Sequence, residues 1–292
     1  MKINYNILIK DFLIVLFFTS LSVGACIYTE LLISNNFKYI IFVICAFSLG
    51  FWFHAFHLFL HEAAHYNLHP NKKINDAIAN ILFIPTIGLR IENYRKYHWM
   101  HHKNLGTVAD TENSYFTSLS FKNIIKSLIP IFTLLEKIKS EKKVLNSNFK
   151  LFEPNILILA FFFHASIILI LYLNNLKYSC TVYILSVLII FPLLAKIRQK
   201  LEHRDEMANA NIDYKINNHG EYNRIFSDNF FSRFFGAAGF NKHFLHHINP
   251  TISYTNFKEY EDYIKKNNEN LYSKINKSRT TYFATFLKLI EY

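Results

Sequence analysis

The sequence is poor in cysteine: its 292 residues include three, and these lie far apart. Cys26, Cys45 and Cys180 form no C-x-x-C pair and sit within or beside apolar stretches. A disulfide framework requires paired cysteines and a thiolate metal site requires closely spaced ones, so neither kind of site is indicated. We therefore expect three buried, unpaired thiols.

Acidic residues are also scarce, with 21 Asp and Glu against 32 Lys and Arg, a formal net charge of +11. Nucleic-acid-binding proteins show such an excess, but in a chain with 51% hydrophobic residues it is more typical of a membrane protein with basic cytoplasmic segments. No small-residue cleavage site follows the first apolar run, and no internal repeat is visible. We expect no nucleic-acid partner, no cleaved signal peptide and a single membrane-embedded domain over residues 1–292.

Four apolar runs are long enough to cross about 30 Å of hydrocarbon as helices. Pro192 should kink the fourth run near its end, because proline removes one helical hydrogen bond. The pattern predicts an all-α integral membrane protein with four transmembrane helices in two hairpins, at about residues 12–33, 39–60, 155–173 and 178–195.

Charge predicts the orientation of these helices. Each expected hairpin tip carries a single lysine, Lys38 or Lys177, whereas the other segments hold all remaining Lys and Arg. By the positive-inside tendency, both termini and a helical cap of residues 61–154 and 196–292 face the cytoplasm of a multi-pass protein, for which we expect a bacterial inner membrane. Apolar residues from Ile124 to Ile138 recur at helical spacing among lysines, which predicts an interfacial helix or, alternatively, a core helix of a soluble insert.

Histidine occurs in unusual patterns in this sequence. The pattern His-x-x-His-His occurs at His98–His102 and again at His243–His247, although composition predicts roughly 0.03 occurrences. A third cluster, His61–His65, reads His-Glu-x-x-His. Residues three and four apart share one face of a helix, so each cluster presents its imidazoles together.

Two predicted transmembrane helices extend into these clusters. His61 and His65 follow the second span, and Gln199 and His203, again four apart, follow the fourth. Imidazole binds zinc, copper, iron and nickel alike, so the ligand type does not select the metal. The set is too large for one metal and suits two ions with four or five nitrogens each: His61, His65, His98, His101, His102, His203, His243, His246 and His247.

The order of these motifs carries a resemblance. His-Glu-x-x-His, then His-x-x-His-His, then Glu202-His203 and a last His-x-x-His-His followed by Asn249-Pro250 are similar to the integral-membrane fatty acid desaturase family over about residues 51–263. The resemblance implies two iron ions that activate O2 to remove two hydrogens from neighbouring carbons of a lipid acyl chain. Such a C–H bond offers no acidic proton, so it requires an oxidant, and zinc has no redox chemistry.

The resemblance also implies partners and further site residues. The sequence has no His-Pro-Gly-Gly haem motif and no four-cysteine cluster, so electrons must come from a separate ferredoxin- or cytochrome-type carrier and its reductase. Basic residues of the cap suit an acidic carrier, and membrane lipids or an acyl carrier supply the substrate. Polar residues that we expect to orient the imidazoles are Glu62, Asp110, Gln199, Glu202 and Asn241.

The other histidines are weaker candidates. His57 is a further ligand or a pocket wall, and His164 lies within the third span, where it is a functional group or a neutral imidazole hydrogen-bonded to a neighbouring helix. His54 has no assigned role, and His69 and His219 read as loop residues.

Three alternatives stay open at the level of sequence. A lipid hydroxylase or related oxygenase would share the fold and the histidines. A membrane zinc metalloprotease would use His61-Glu62-x-x-His65, but would leave both His-x-x-His-His clusters unexplained. A metal transporter would place its ligands within the spans, whereas nearly all of these lie beyond one end of them.

Overall fold

The structure is a computed structural model that describes residues 2–107, 109–112, 115, 117–129, 149–204 and 223–290. Within these residues the chain is mostly helical. Two short strands, β1 (Ile225–Phe226) and β2 (Arg279–Thr280), pair in parallel. In chain order the helices are α1 Tyr5–Leu32, α2 Phe37–Ala64, α3 Lys72–Ile87, α4 Ile91–Asn104, α5 Phe121–Ser127, α6 Pro154–Leu173, α7 Lys177–Leu185, α8 Phe191–His203, α9 Phe230–Phe235, α10 His243–Ile248, α11 Phe257–Asn267, α12 Glu269–Lys277 and α13 Tyr282–Ile290.

Four helical runs are long and apolar enough to cross a membrane: α1, α2, α6 and the continuous run Lys177–His203 through α7 and α8. They match the four predicted spans, and many of their large apolar side chains face outward, as on a lipid-exposed surface. The first begins at Tyr5 rather than near residue 12, because the Asn4 side chain caps its first turn by accepting from the Ile7 amide.

The fourth run is irregular at the place where the sequence predicts a kink. A π-helical segment, Ser186–Ile190, lies directly before Pro192. The Ser186 hydroxyl lies 2.7 Å from the carbonyl oxygen of Val182 and 3.0 Å from that of Ala46 in α2. Ile190 packs against Gly50 so closely that a Cβ there would lie 2.5 Å from Ile190 Cγ2. The irregular segment is therefore held against α2.

Two carboxylates within α1 have structural partners. Glu30 accepts hydrogen bonds from the amides of Tyr178 and Ser179, which are otherwise unsatisfied donors in the first turn of α7. Asp11 accepts from Arg233 at 2.6 Å and from the Tyr254 hydroxyl at 3.2 Å. Both ends of α1 are thus fixed to later parts of the chain.

The segment after α2 turns sharply. Helices α3 and α4 meet at 89°, and together they are long and apolar enough to count as a fifth, broken span. Gly88 ends α3 in the left-handed conformation (φ 69°) and lies against Leu157 and Ala160 of α6. Of the predicted interfacial helix, α5 is described; residues 130–148 and His219 lie outside the described residues.

The C-terminal part of the chain supports the last histidine cluster. Helices α11 and α12 are amphipathic, and they bury Phe257, Ile264 and Ile275 against Phe244 and Leu245 of α10. The three cysteines are unpaired, as expected; Cys26 and Cys45 are buried and Cys180 is partly buried.

We predict that Gly88→Ala lowers the thermal unfolding temperature of the purified protein. The left-handed backbone costs an L-residue about 1–2 kcal/mol, and the new Cβ would lie 2.9 Å from Leu157 Cδ2. The control is Gly24→Ala in α1, where nothing lies within 4 Å of the added Cβ and helix propensity favours alanine. Equal unfolding temperatures for the two variants would contradict the packing described here.

Candidate metal centre

The nine predicted histidines lie together in two groups. The first group has five members, His61, His65, His98, His102 and His246, and the second has four, His101, His203, His243 and His247. Within each group, one nitrogen of every imidazole lies within 4.8 Å of the corresponding nitrogens of the others. Seven of the nine side chains are buried, and His102 and His247 are partly buried.

Different helix ends contribute the members of each group. His61 is in the last turn of α2 and His65 follows its last residue, while His203 ends α8. Helix α4 divides its three histidines between the groups: His98 and His102 enter the first and His101 enters the second. Helix α10, six residues long, also contributes to both groups: His246 belongs to the first, and His243 and His247 belong to the second.

The end of α2 is fastened to its neighbours through its backbone carbonyls. Arg95 of α4 donates to the Ala64 oxygen at 2.9 Å and to the Ala63 oxygen at 3.1 Å, and Asn75 of α3 also donates to Ala63. The last carbonyls of a helix have no partner within the helix. Because Arg95 of α4 bonds these carbonyls, it sets the position of His61 and His65 relative to the histidines of α4.

Two carboxylates in the loop after α4 hold imidazoles of that helix. Asp110 lies 2.9 Å from His101 Nδ1, and Glu112 lies 3.0 Å from His98 Nδ1. An ionised carboxylate only accepts hydrogen bonds, so both imidazoles carry their proton on Nδ1 and turn the Nε2 lone pair into the group. Burial lowers the pKa of His101, but Asp110 and Glu112 outweigh burial and raise the pKa to about 9, because the two carboxylates stabilise positive charge at this imidazole, as they would that of a bound cation.

The five polar residues predicted to orient imidazoles have different contacts. Asp110 bonds His101 directly, and Gln199 donates to the carboxylate of Glu112 at 3.0 Å. Asn241 donates to Asp228 rather than to a histidine.

Glu62 and Glu202 lie beside the groups and are each held by other residues. One Glu62 oxygen is 3.2 Å from both the Ser253 hydroxyl and the Tyr254 amide. Glu202 accepts from Arg198 one turn earlier in α8 and lies 4.0 Å from His243 Nε2.

Sequence reasoning missed Glu112 and Phe240. Glu112 follows Asp110 by two residues in the same loop, which was the available signal. The Phe240 ring lies 4.3 Å from the His61 ring and 4.9 Å from the His243 ring, so it packs on a member of each group. On Phe240 lies the Arg198 guanidinium, 3.9 Å from the ring centre. No spacing rule in the sequence predicts that Arg198 lies on Phe240 or that Phe240 packs on His61.

Unpaired buried nitrogens test whether the site suits a metal. Within the part of the chain that the structure describes, both nitrogens of His61 and His65, and Nε2 of His101, are buried without a hydrogen-bond partner. An unsatisfied buried polar atom costs about 1–3 kcal/mol, so a chain that keeps several at one place needs a ligand that uses them. A cation that accepts imidazole lone pairs is such a ligand.

Contacts between imidazoles support the same conclusion. His102 Nε2 lies 3.0 Å from His98 Nε2 and 2.9 Å from His246 Nε2. In the second group, His243 Nε2 lies 2.9 Å from His203 Nε2 and 3.0 Å from His247 Nε2. A neutral imidazole has one N–H, which His98 uses elsewhere, so hydrogen bonds cannot satisfy all of these nitrogens.

Burial keeps the other histidines of the two groups in the neutral form that binds metals. It lowers the pKa of His243 and His246 well below the ordinary value, and neighbouring imidazoles lower it further. The two side chains are therefore neutral at physiological pH, and their lone pairs are available.

The other described histidines lie outside the two groups. His57 is hydrogen-bonded at Nδ1 to the Phe53 carbonyl and at Nε2 to Thr86, and His164 bonds Tyr183 and the Thr86 carbonyl. Both are imidazoles with partners on both nitrogens, so neither has a lone pair for the groups. His69 accepts from the Asn71 amide in a loop, as expected, and His54 is fully buried beside Phe235.

Comparison with known proteins adds one finding. Residues 38–278 match the sequence profile of a family described as fatty acid desaturase. That range contains all nine histidines and encloses the stretch on which the resemblance was based. Neither the curated proteins nor the solved structures gave a match.

We predict two bound metal ions per chain and a loss of metal when a group member is removed. His98→Ala and His246→Ala should each deplete the first group, and His203→Ala the second, as measured by elemental analysis of the purified protein. His57→Ala is the control, because that imidazole is buried but both of its nitrogens are hydrogen-bonded. Full metal content in His98→Ala or His246→Ala would contradict the ligand assignment.

We predict that Glu112→Ala lowers metal affinity by about 10- to 100-fold, because His98 loses the acceptor that fixes its tautomer. Gln199→Ala should have a smaller effect in the same direction, since Gln199 acts through Glu112. Metal affinity is measured by competition with a chelator. Glu153→Ala serves as the control, because this carboxylate bonds Asn93 instead of a histidine; an equal loss in that variant would contradict the specific role of Glu112.

Proposed function

We propose a function for this chain, which belongs to the fatty acid desaturase family. It is a membrane-bound, O2-dependent enzyme that introduces a double bond into a lipid acyl chain. Membership of the family makes it an oxidoreductase, a desaturase or a related oxygenase. The four apolar helical runs make it a membrane protein. The reaction, the metal and the substrate are what the proposal adds.

One observation carries the proposal: nine histidines from four separate parts of the chain divide into a group of five and a group of four. A tetrahedral zinc site is complete with four protein ligands, and a catalytic one uses three. Five and four nitrogens suit two ions that keep positions open for a further ligand. We therefore propose two iron ions, each held by one of the groups.

Iron in such a pair supplies the redox chemistry with O2 that breaking an unactivated C–H bond requires. The chain's own residues bind and orient. Asp110 and Glu112 hold Nδ1–H of His101 and His98, and Arg95 fixes the end of α2. The buried Phe240 and the apolar core beneath the histidines exclude water from the groups.

The contacts of Glu62 favour this function over a metalloprotease. In a protease with His-Glu-x-x-His, the glutamate must reach a water molecule as general base. Here Oε2 of Glu62 lies within hydrogen-bonding reach of Ser253 and of the Tyr254 amide, and Oε1 lies 3.8 Å from Nδ1 of His61. The residue is fully buried, so its carboxylate has no exposed surface at which to meet a water molecule. We assign Glu62 to holding the segment around Tyr254 against the end of α2.

The proposal includes an orientation and partners. The four runs form two hairpins with the histidines and both termini on the cytoplasmic side of a single domain, where the basic segments lie. Two electrons come from a separate ferredoxin- or cytochrome-type carrier with its reductase. The acyl chain enters from the bilayer, and a hydroxylase on the same scaffold is the other outcome of the test below.

We predict that cells expressing the protein accumulate lipids with two fewer hydrogen atoms per modified chain, whose double-bond position mass spectrometry reads directly. Cells with the His246→Ala variant are the control and should lack the product, as should cells without O2. A lipid that gains an oxygen atom with no loss of hydrogen would identify a hydroxylase. Unchanged lipids, with metal bound at both groups, would contradict lipid oxidation.

A further inference from the structure

Trp99 is an exposed aromatic residue that contacts the first histidine group. It lies on α4 between His98 and Met100, and 40% of its surface is exposed. Its ring centre is 5.0 Å from that of His65 and 5.6 Å from that of His102. The indole therefore reaches from the surface to two imidazoles of the first group.

The other tryptophan of the chain provides a comparison. Trp52 is buried in α2, stacks on Phe18 at 4.6 Å and also packs against Phe234. Its contacts are those of a core residue. Among the described residues, the rings that Trp99 contacts are those of His65 and His102 in the first group. Within that part of the chain it has no phenylalanine partner of the kind that packs on Trp52.

The surface around Trp99 is positively charged. Lys96 and Lys103 lie one turn before and one turn after it on the same face of α4, and both are exposed. Neither has an ion-pair partner within the described part of the chain. Near the start of α3, the Lys72 ammonium lies 4.9 Å from the Tyr66 ring, on which the guanidinium of Arg95 in α4 also lies.

We propose that this face of α4, with Trp99 at its centre and Lys96 and Lys103 beside it, is the docking surface for an acidic one-electron carrier protein, and that Trp99 is the residue through which electrons enter. The inference rests on the proposed function and deepens it by naming where the partner binds. Complementary charge brings the carrier to the surface, and the indole provides contact between the carrier and the ligand imidazoles.

The electron balance requires two docking events per turnover. One acyl –CH2–CH2– unit, O2, two electrons and two protons give –CH=CH– and two water molecules. The substrate supplies two of the four electrons that reduce O2, through its two C–H bonds. The carrier supplies the other two, one in each encounter, and leaves oxidised. Trp99 is unchanged at the end of each transfer.

Lipid is the competing occupant of this surface. Tryptophan and lysine are both enriched at membrane interfaces, so Trp99 in hydrocarbon would also explain its exposure. The contacts with His65 and His102 favour the carrier, because an interfacial anchor has no reason to touch the metal ligands.

The first experiment uses Trp99 as a fluorescent reporter. In the Trp52→Phe variant Trp99 is the sole tryptophan, since the chain has two. The protein is placed in nanodiscs and titrated with an acidic plant-type ferredoxin at low and at about 1 M salt, where the Debye length is about 3 Å. We expect saturable quenching that high salt abolishes. Quenching by lipids brominated on their acyl chains, or no response to ferredoxin at low salt, would overturn the proposal.

The second experiment measures the rate at which reduced ferredoxin reduces the metal-loaded protein by stopped flow. Lys96→Glu with Lys103→Glu should slow the reaction at low salt by about tenfold or more, and high salt should remove the difference. The control reverses two exposed lysines elsewhere, Lys266→Glu with Lys277→Glu on α11 and α12, and should react at close to the unsubstituted rate. An equal effect of both pairs would overturn the docking surface.

Trp99→Ala tests the entry residue. We expect slower reduction at unchanged iron content, with Trp99→Phe recovering most of the rate because a ring again contacts His65. Unchanged reduction in Trp99→Ala, or slowing that parallels iron loss, would overturn the role of Trp99. Ferredoxin that docks but reduces no variant, the unsubstituted protein included, would refute the redox function and leave the docking surface supported.

Discussion

The structure depends on the confinement of neutral imidazoles whose lone pairs point at one another in a buried volume. Nitrogens of His102 and His246 lie 2.9 Å apart, and those of His61 and His65 have no hydrogen-bond partner among the described residues. Such an arrangement is unfavourable without a cation, because buried polar atoms lose hydration and gain nothing in return. Three features of the surrounding structure hold this arrangement in place. Arg95 bonds the last carbonyls of α2, Asp110 and Glu112 bond two imidazoles of α4, and the Phe240 ring packs between His61 and His243.

The membrane runs and the metal centre are coupled by continuous helices. Helix α2 and the run Lys177–His203 are each apolar along most of their length and end in histidines of the two groups. The same rigid helix therefore fixes both the depth of the span in the bilayer and the position of its histidines in the site. The charged residues of α1 extend this coupling, because Asp11 holds Arg233 and Tyr254 and thereby the segment before and after the last histidine cluster. In the proposed function, this coupling presents an acyl chain that lies in the bilayer to a site of fixed geometry.

The surface of α4 shows how one helix combines three tasks. His98 and His102 belong to one group, His101 belongs to the other, and Trp99 with Lys96 and Lys103 faces outward. Helical periodicity makes this possible, because positions 98 and 102 share a face from which position 99 is rotated by about 100°. Trp99 of α4 therefore reaches the surface, whereas Phe244, which holds the same place in the second His-x-x-His-His cluster, is buried.

The sequence by itself determined the helical membrane fold, the four apolar runs and the nine histidines, because hydropathy and spacing are local properties that a pattern records directly. Asp110 was also within reach, since it follows its histidine in the same segment. Only the tertiary structure decided which histidine belongs to which group, that Glu112 bonds His98, and that Phe240 packs on both groups. These facts depend on the angles between α2, α4, α8 and α10. Such angles follow from packing between residues far apart in the chain, which local spacing does not encode.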